Sequence, residues 1–288
     1  MSSSRIVFSL VVLLLIGCRG TQWPPLAVVS EDGIDIAYSV HGPEGPAMVL
    51  VHGWGNNQTF FDPNVPSLSR NHRIVTLDLV GFGESGQDRT DWTMEAFGQD
   101  VVAVVHALEL ERPVLVGFSM GGAAVLEAAV SLGPRAAGVV LVDVFKDVNA
   151  RTDAETREAV VNGMKSIWHQ EEGFRAMIGP GAPDSLVQMV LERTPADPPE
   201  YWWDVLEEVL RWSSSDLTST LRAVDVPIAA VNAAEPPTDV EAFRTYVPSF
   251  EVKTIPEVGH LGVLWLKPEA FNAALLTFVE SMSSDSGG

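Results

Sequence analysis

The run Val114-Leu115-Val116-Gly117-Phe118-Ser119-Met120-Gly121-Gly122 sets one serine between glycines two residues away on either side. Before it lies a Val-rich stretch and after it an Ala-rich one. A serine on a sharp strand-to-helix turn holds a strained backbone. Side chains at Gly117 and Gly121 would collide where strand and helix pack closely, so glycine is the residue that fits. Such a turn pushes Oγ of Ser119 out above the carboxyl ends of the strands. The first amides of the following helix then point at whatever the oxygen attacks. The chemistry this allows is nucleophilic addition to a carbonyl, and it requires a base. Six histidines are available: His41, His52, His72, His106, His169 and His260. No two of them have metal-ligand spacing, and the single cysteine cannot build a thiolate site, so neither a metal nor a cofactor is expected.

Elements must hold that turn. Short apolar runs at Met48–Val51, Arg73–Asp78, Pro113–Gly117, Gly138–Asp143, Pro227–Val231 and Val252–Ile255 read as strands. Helical spacing marks Met94–Leu108, Met120–Ser131 and Pro268–Glu280. The stretch AVVSEDGIDIAYSV reads as a hairpin turning at Asp32-Gly33. Strands that are continuous apolar runs, alternating with helices, predict a mostly parallel sheet covered on both faces. The rhythm breaks from about Phe145 to Val224, which carries helical patterns with Met164, Trp168, Met177, Met189, Trp202, Trp203 and Trp212. This interval reads as a helical cap over one end of the sheet. Most of these large side chains form the cap's own core, with a minority facing the cleft.

Four motifs in a fixed order carry a resemblance. HGWG (52–55), DLVGFGESG (78–86), GFSMGG (117–122) and GHLGVLWLKPEAF (259–271) make the chain similar to serine esterases and lipases of the α/β-hydrolase fold. The resemblance runs from about Val28 to Val279, loosely in the cap. It implies Ser119 as nucleophile and His260 as its base. It also implies backbone amides of Trp54 and Met120 as the oxyanion hole, with Trp54 also placed to wall the acyl pocket. His52 is expected to pack and bond locally, and the other four histidines to be surface or structural.

The third member of the triad departs from the family pattern. The usual acid follows the seventh strand. There this chain has Asn232-Ala233-Ala234-Glu235-Pro236-Pro237-Thr238-Asp239. Glu235 takes the usual place, with Asp239 four residues on. The fold also uses the end of the sixth strand, where Asp143 closes VVLVD. Aspartate is disfavoured in strands, and a strand end is held more rigidly than a proline-rich loop. The reading leans to Asp143, keeps Glu235 as the alternative, and gives Asp239 the role of a helix cap before VEAF.

Composition bounds the rest. The 288 residues are 46% hydrophobic with a formal net charge of -20, enough for one α/β domain with an insertion. The acids are spread along the chain, which argues against nucleic acid or an anionic membrane surface as partner. At the N-terminus, one cation (Arg5) precedes an apolar run, Ile6–Ile16, too short to span a bilayer. Leu15-Ile16-Gly17-Cys18 resembles a bacterial lipobox, which implies a lipid on Cys18 and an exported, membrane-anchored protein, at the outer membrane where one exists. The organisation expected is a signal peptide at 1–17, a lipidated linker at 18–26, the α/β-hydrolase core at 27–144 and 225–282, and the cap at 145–224. The leading function is hydrolysis of a small-molecule ester through an acyl-enzyme. Cofactor-free haloperoxidase or perhydrolase activity and carbon–carbon bond hydrolysis are alternatives of the same fold. A non-catalytic binding protein using the capped cleft is a different class, disfavoured by the intact serine and histidine motifs. Substrate and oligomeric state are left open.

Overall fold

The computed structural model describes residues 26–284. The expected leader, Cys18 and nearly all of the linker lie outside the described residues. Eight strands, β1 (Leu26–Val29), β2 (Asp35–His41), β3 (Ala47–Val51), β4 (Arg73–Leu77), β5 (Val114–Phe118), β6 (Gly138–Val142), β7 (Ile228–Ala233) and β8 (Glu251–Ile255), form one sheet in the order β1-β2-β4-β3-β5-β6-β7-β8. The β1–β2 and β2–β4 pairs are antiparallel and the remaining pairs are parallel. Every residue of β3, β5, β6 and β7 is buried, which is why these strands read as unbroken apolar runs. The β1–β2 hairpin turns through Gly33, at φ 84°, with the Ser30 hydroxyl bonded to Asp32.

Helices cover both faces. In chain order they are α1 (Val65–Leu68), α2 (Met94–Ala107), α3 (Met120–Leu132), α4 (Ala154–Ile167), α5 (Glu171–Ile178), α6 (Asp184–Arg193), α7 (Tyr201–Ser215), α8 (Leu217–Ala223), α9 (Val240–Arg244), α10 (Gly262–Trp265) and α11 (Pro268–Ser284). Strand side chains alternate between two cores, as a period of two requires. Val49, Val51, Leu115 and Leu141 join Phe97 and Val101 of α2 and Val125 of α3. Met48, Leu50, Val116 and Val142 join Phe271, Leu275 and Phe278 of α11. Between β6 and β7 there are only helices, α4 to α8, and no strand. The short helices α1 and α10 have no counterpart in the sequence reading, whereas α9 follows the Asp239 cap expected there. None of the described helices is long and apolar enough to cross a membrane.

Candidate active site

Ser119 follows β5 directly and adopts φ 52°, ψ -120°, a left-handed conformation rare for a residue with a side chain. Its N–H donates to the Val142 carbonyl at 3.0 Å, carrying the β5–β6 ladder one step past the strand end. Although it precedes α3, its hydroxyl makes no capping bond. The flanking glycines are required by contact. A Cβ on Gly117 would stand 2.3 Å from the Gly121 carbonyl oxygen, and one on Gly121 2.4 Å from that of Val51. Gly117 thus answers to α3, whereas Gly121 answers to the end of β3.

The loop after β3 comes just as close. A Cβ on Gly53 would lie 2.9 Å from Cβ of Ser119. The buried His52 organises this loop. Its Nε2 accepts from the Leu79 N–H at 3.1 Å, so its Nδ1 carries the proton and donates to the Gly53 carbonyl at 2.8 Å. Burial lowers the His52 pKa from its ordinary 6.5, against an upward pull from the Asp78 charge, and the ring stays neutral. With the Gly53 carbonyl turned to His52, the planar trans peptide sends the Trp54 N–H the opposite way. That N–H has no acceptor among the described residues. The Met120 N–H is the first amide of α3, a position that leaves a donor without an intrahelical partner.

The indole of Trp54 is built into the helices above the sheet. Its Nε1 donates to the Trp202 carbonyl at 2.5 Å, and its ring meets those of Trp168, Trp202 and Trp203 at centroid distances of 5.0, 6.1 and 5.2 Å. Of the large side chains read from the interval 145–224, Met164, Trp168 and Met177 line the cavity at Ser119, whereas Trp212 is fully buried elsewhere.

His260 sits between β8 and α10, on a segment docked against α5. The Gly259 N–H donates to the Ile178 carbonyl at 2.9 Å and the Leu261 N–H to that of Met177 at 2.8 Å, so carbonyls that end α5 find their partners here. The imidazole packs on Phe118, ring centroids 4.7 Å apart, and its Nδ1 lies 2.7 Å from Oδ2 of Asp143. Asp143 follows β6 at φ 46°, and its N–H continues the β6–β7 ladder to Val231 at 3.1 Å. Its Oδ1 accepts from the Ala233 N–H at 2.7 Å and from Lys146 Nζ at 2.9 Å. Burial alone would raise this carboxyl. The hydrogen bonds and charges of His260 and Lys146 outweigh it and hold the group below the usual carboxylate range.

Of the three carboxylates considered, the structure brings Asp143 to His260. Glu235 is exposed, and its carboxylate makes no hydrogen bond among the described residues. Asp239 accepts from the Ala242 N–H at 2.9 Å as the N-cap of α9. His41 and His106 are exposed, and His72 and His169 half-buried. No group of three or more His, Cys, Asp or Glu among the described residues could hold a metal ion.

Ser119, His260, Trp54 and Met120 open on one cavity of about 370 Å³. Its walls are mostly apolar, with Phe145 and Val144 from the loop after β6, Phe174 of α5, and Leu206, Val209 and Leu210 of α7. Among the described residues, Asp147 is the one carboxylate on the lining, and neither Lys nor Arg lines it. Sequence reasoning missed Lys146 and Asp147. Their only local signal was their place just after a candidate acid.

A model of the alpha/beta hydrolase family matches residues 48–274. This chain belongs to the alpha/beta hydrolase family. Among its relatives, a non-heme haloperoxidase of Rhodococcus erythropolis is 28% identical over 283 residues, covering 88% of this chain and 99% of the relative. Among solved structures, a thermophilic esterase from Thermogutta terrifontis superposes with a TM-score of 0.75 at 22% identity, covering 90% of this hydrolase and 98% of that chain. A bromoperoxidase from Bacillus anthracis superposes with a TM-score of 0.71 at 23% identity, covering 88% and 100%. These two likenesses establish the α/β-hydrolase fold.

Proposed function

We propose that this α/β hydrolase cleaves carboxylic esters of neutral, apolar acids through an acyl-enzyme. The observation that carries the reading is the 2.7 Å contact of His260 Nδ1 with Asp143 beside a cavity that also holds the strained Ser119. Oγ of Ser119 attacks the ester carbonyl while Nε2 of His260 takes its proton. The Trp54 and Met120 amides stabilise the oxyanion, each worth about 3 kcal/mol. The imidazolium, steadied by Asp143, gives the proton to the departing alkoxide. Water then attacks the acyl-serine, losing its proton to His260, and the acid leaves as Ser119 regains its hydrogen. Helices α4 to α8 act as the cap that keeps bulk water from the acyl group. A wall with one carboxylate and no cation favours neutral over anionic acyl groups.

The test is labelling by a fluorophosphonate probe together with turnover of p-nitrophenyl esters of graded chain length. Ser119→Ala is expected to lose both while keeping its fold. Labelling that survives in this variant places the nucleophile elsewhere.

A second reading is supported by the haloperoxidase relative. Hydrogen peroxide in place of water would release a peracid from the acyl-serine, and the peracid would oxidise halide without a cofactor. Bromination that needs both peroxide and a carboxylic acid, and that Ser119→Ala abolishes, supports it.

We further propose that the protein is exported and anchored by a lipid on Cys18, with an acidic body standing off anionic head groups. Cys18→Ser is expected to release it from membranes. A mature form without lipid on that cysteine, read by mass spectrometry, rules the anchor out.

A further inference from the structure

Lys146 occupies a place that hydrolysis as described gives no task. Two residues of the loop after β6, Asp143 and Phe145, hold positive φ (46° and 53°). They turn the chain so that the side chain three residues beyond Asp143 returns to it. Nζ of Lys146 then has three acceptors: Asp143 Oδ1 at 2.9 Å, the Ala233 carbonyl at 3.2 Å and the Glu235 carbonyl at 3.2 Å. An ammonium has three donors, and all three are used. The side chain is 15% exposed. The segment that would supply the alternative acid therefore contributes main-chain oxygens, and it contributes them to a cation.

We propose that Lys146 is a positioning residue for the acid of the triad: it ties Asp143 to the loop after β7 and so fixes the carboxylate that steadies His260. The inference rests on the triad reading given above. Oδ1 of Asp143 is taken by the Ala233 N–H and the ammonium, which leaves Oδ2 for Nδ1 of His260. The same ammonium reaches the Ala233 and Glu235 carbonyls, so the carboxylate, the turn after β6 and the loop after β7 are held as one unit.

The other charged groups nearby are held elsewhere. Asp147, on the same loop and at the cavity, accepts from the Asn149 N–H at 2.9 Å. Asp239, whose N–H bonds the Lys146 carbonyl at 2.7 Å, spends its carboxylate on capping α9. Glu257, ahead of the His260 segment, pairs with Lys267 at 3.1 Å. Glu235 is exposed. After loss of the ammonium, Asp143 keeps the Ala233 N–H and His260 but loses its tie to the Glu235 carbonyl, so the carboxylate is held by fewer bonds.

The experiment compares wild type, Lys146→Met and Lys146→Arg in two ways. One is kcat against KM for an ester, and the other is the downfield proton NMR signal of the His260 Nδ1–H bonded to Asp143, which needs no turnover. In Lys146→Met kcat is expected to fall roughly tenfold with KM little changed, and the Nδ1–H signal to shift and broaden. Lys146→Arg, which keeps the charge and its donors, is expected to recover both. A folded Lys146→Met protein whose Nδ1–H signal is unchanged overturns the proposal. Failure of the ester-hydrolase reading would show as an absent turnover signal and leave the NMR comparison standing.

Discussion

Gly53 and Ser119 approach so closely that the glycine's missing methyl is a condition of the site: a Cβ there would stand 2.9 Å from the serine Cβ. In the proposed reaction this contact sets how near the Trp54 amide comes to the attacked carbonyl. Gly53→Ala must push the loop after β3 away from Ser119. Turnover is expected to slow by roughly 10²- to 10³-fold, the effect of losing one oxyanion donor, with a modest change in KM. Steady-state kinetics beside a melting curve separates this from general destabilisation.

Asp143→Asn keeps the shape of the acid but removes its charge and can leave His260 in the wrong tautomer. By analogy with the same change in serine proteases, turnover is expected to slow by about 10⁴-fold. Glu235→Gln, altering an exposed carboxylate, is expected to change turnover less than about threefold. The opposite ranking would transfer the role to Glu235.

His52 carries a pH signature of its own. In the unfolded chain it takes up a proton near 6.5, whereas burial keeps the folded ring neutral below that pH. The unfolded state therefore binds more protons as pH falls below about 6.5. Stability present above 6.5 is lost on acidification, by up to about 1.4 kcal/mol per pH unit from this group. Urea midpoints at pH 7.5 and 5.5 are expected to differ less in His52→Asn than in wild type. Equal differences would mean the ring is already protonated or unstrained when folded.

Asp147 is expected to act on choice of substrate. Asp147→Asn should raise kcat/KM for an ester whose acyl chain ends in a carboxylate by about three- to tenfold relative to its neutral methyl-capped analogue, with smaller effect in high salt. An unchanged ratio would place the acyl chain away from this wall.

Much of this was legible locally. Strands β3, β5 and β6 read correctly because strands buried on both faces have no polar positions to interrupt them. The Ser119 turn read correctly because its glycines answer to contacts within a few residues and one strand away. Asp143 did not read cleanly as the partner of His260, because what holds it is a left-handed turn at a non-glycine residue and an amide about ninety positions later. The cap was seen as helical but not divided. Helices α5, α6 and α7 begin at Gln170, Pro183 and Glu200 without a side-chain cap, so no capping residue marks their starts. Only α4, capped by Asp153 on the Thr156 N–H, carried such a mark.

The two halves of the proposed catalytic apparatus are held by parts of unequal tenacity. Ser119 and Asp143 ride on neighbouring, hydrogen-bonded strands deep in the sheet, whereas His260 hangs from the last carbonyls of an eight-residue helix, α5, at the periphery. Partial opening of a protein begins where buried apolar contact is thinnest, and the central strands are the last to let go. Mild heat or denaturant should thus silence the enzyme while its sheet still resists hydrogen exchange. Amides of Gly259 and Leu261 would trade their protons long before those of β5 and β6.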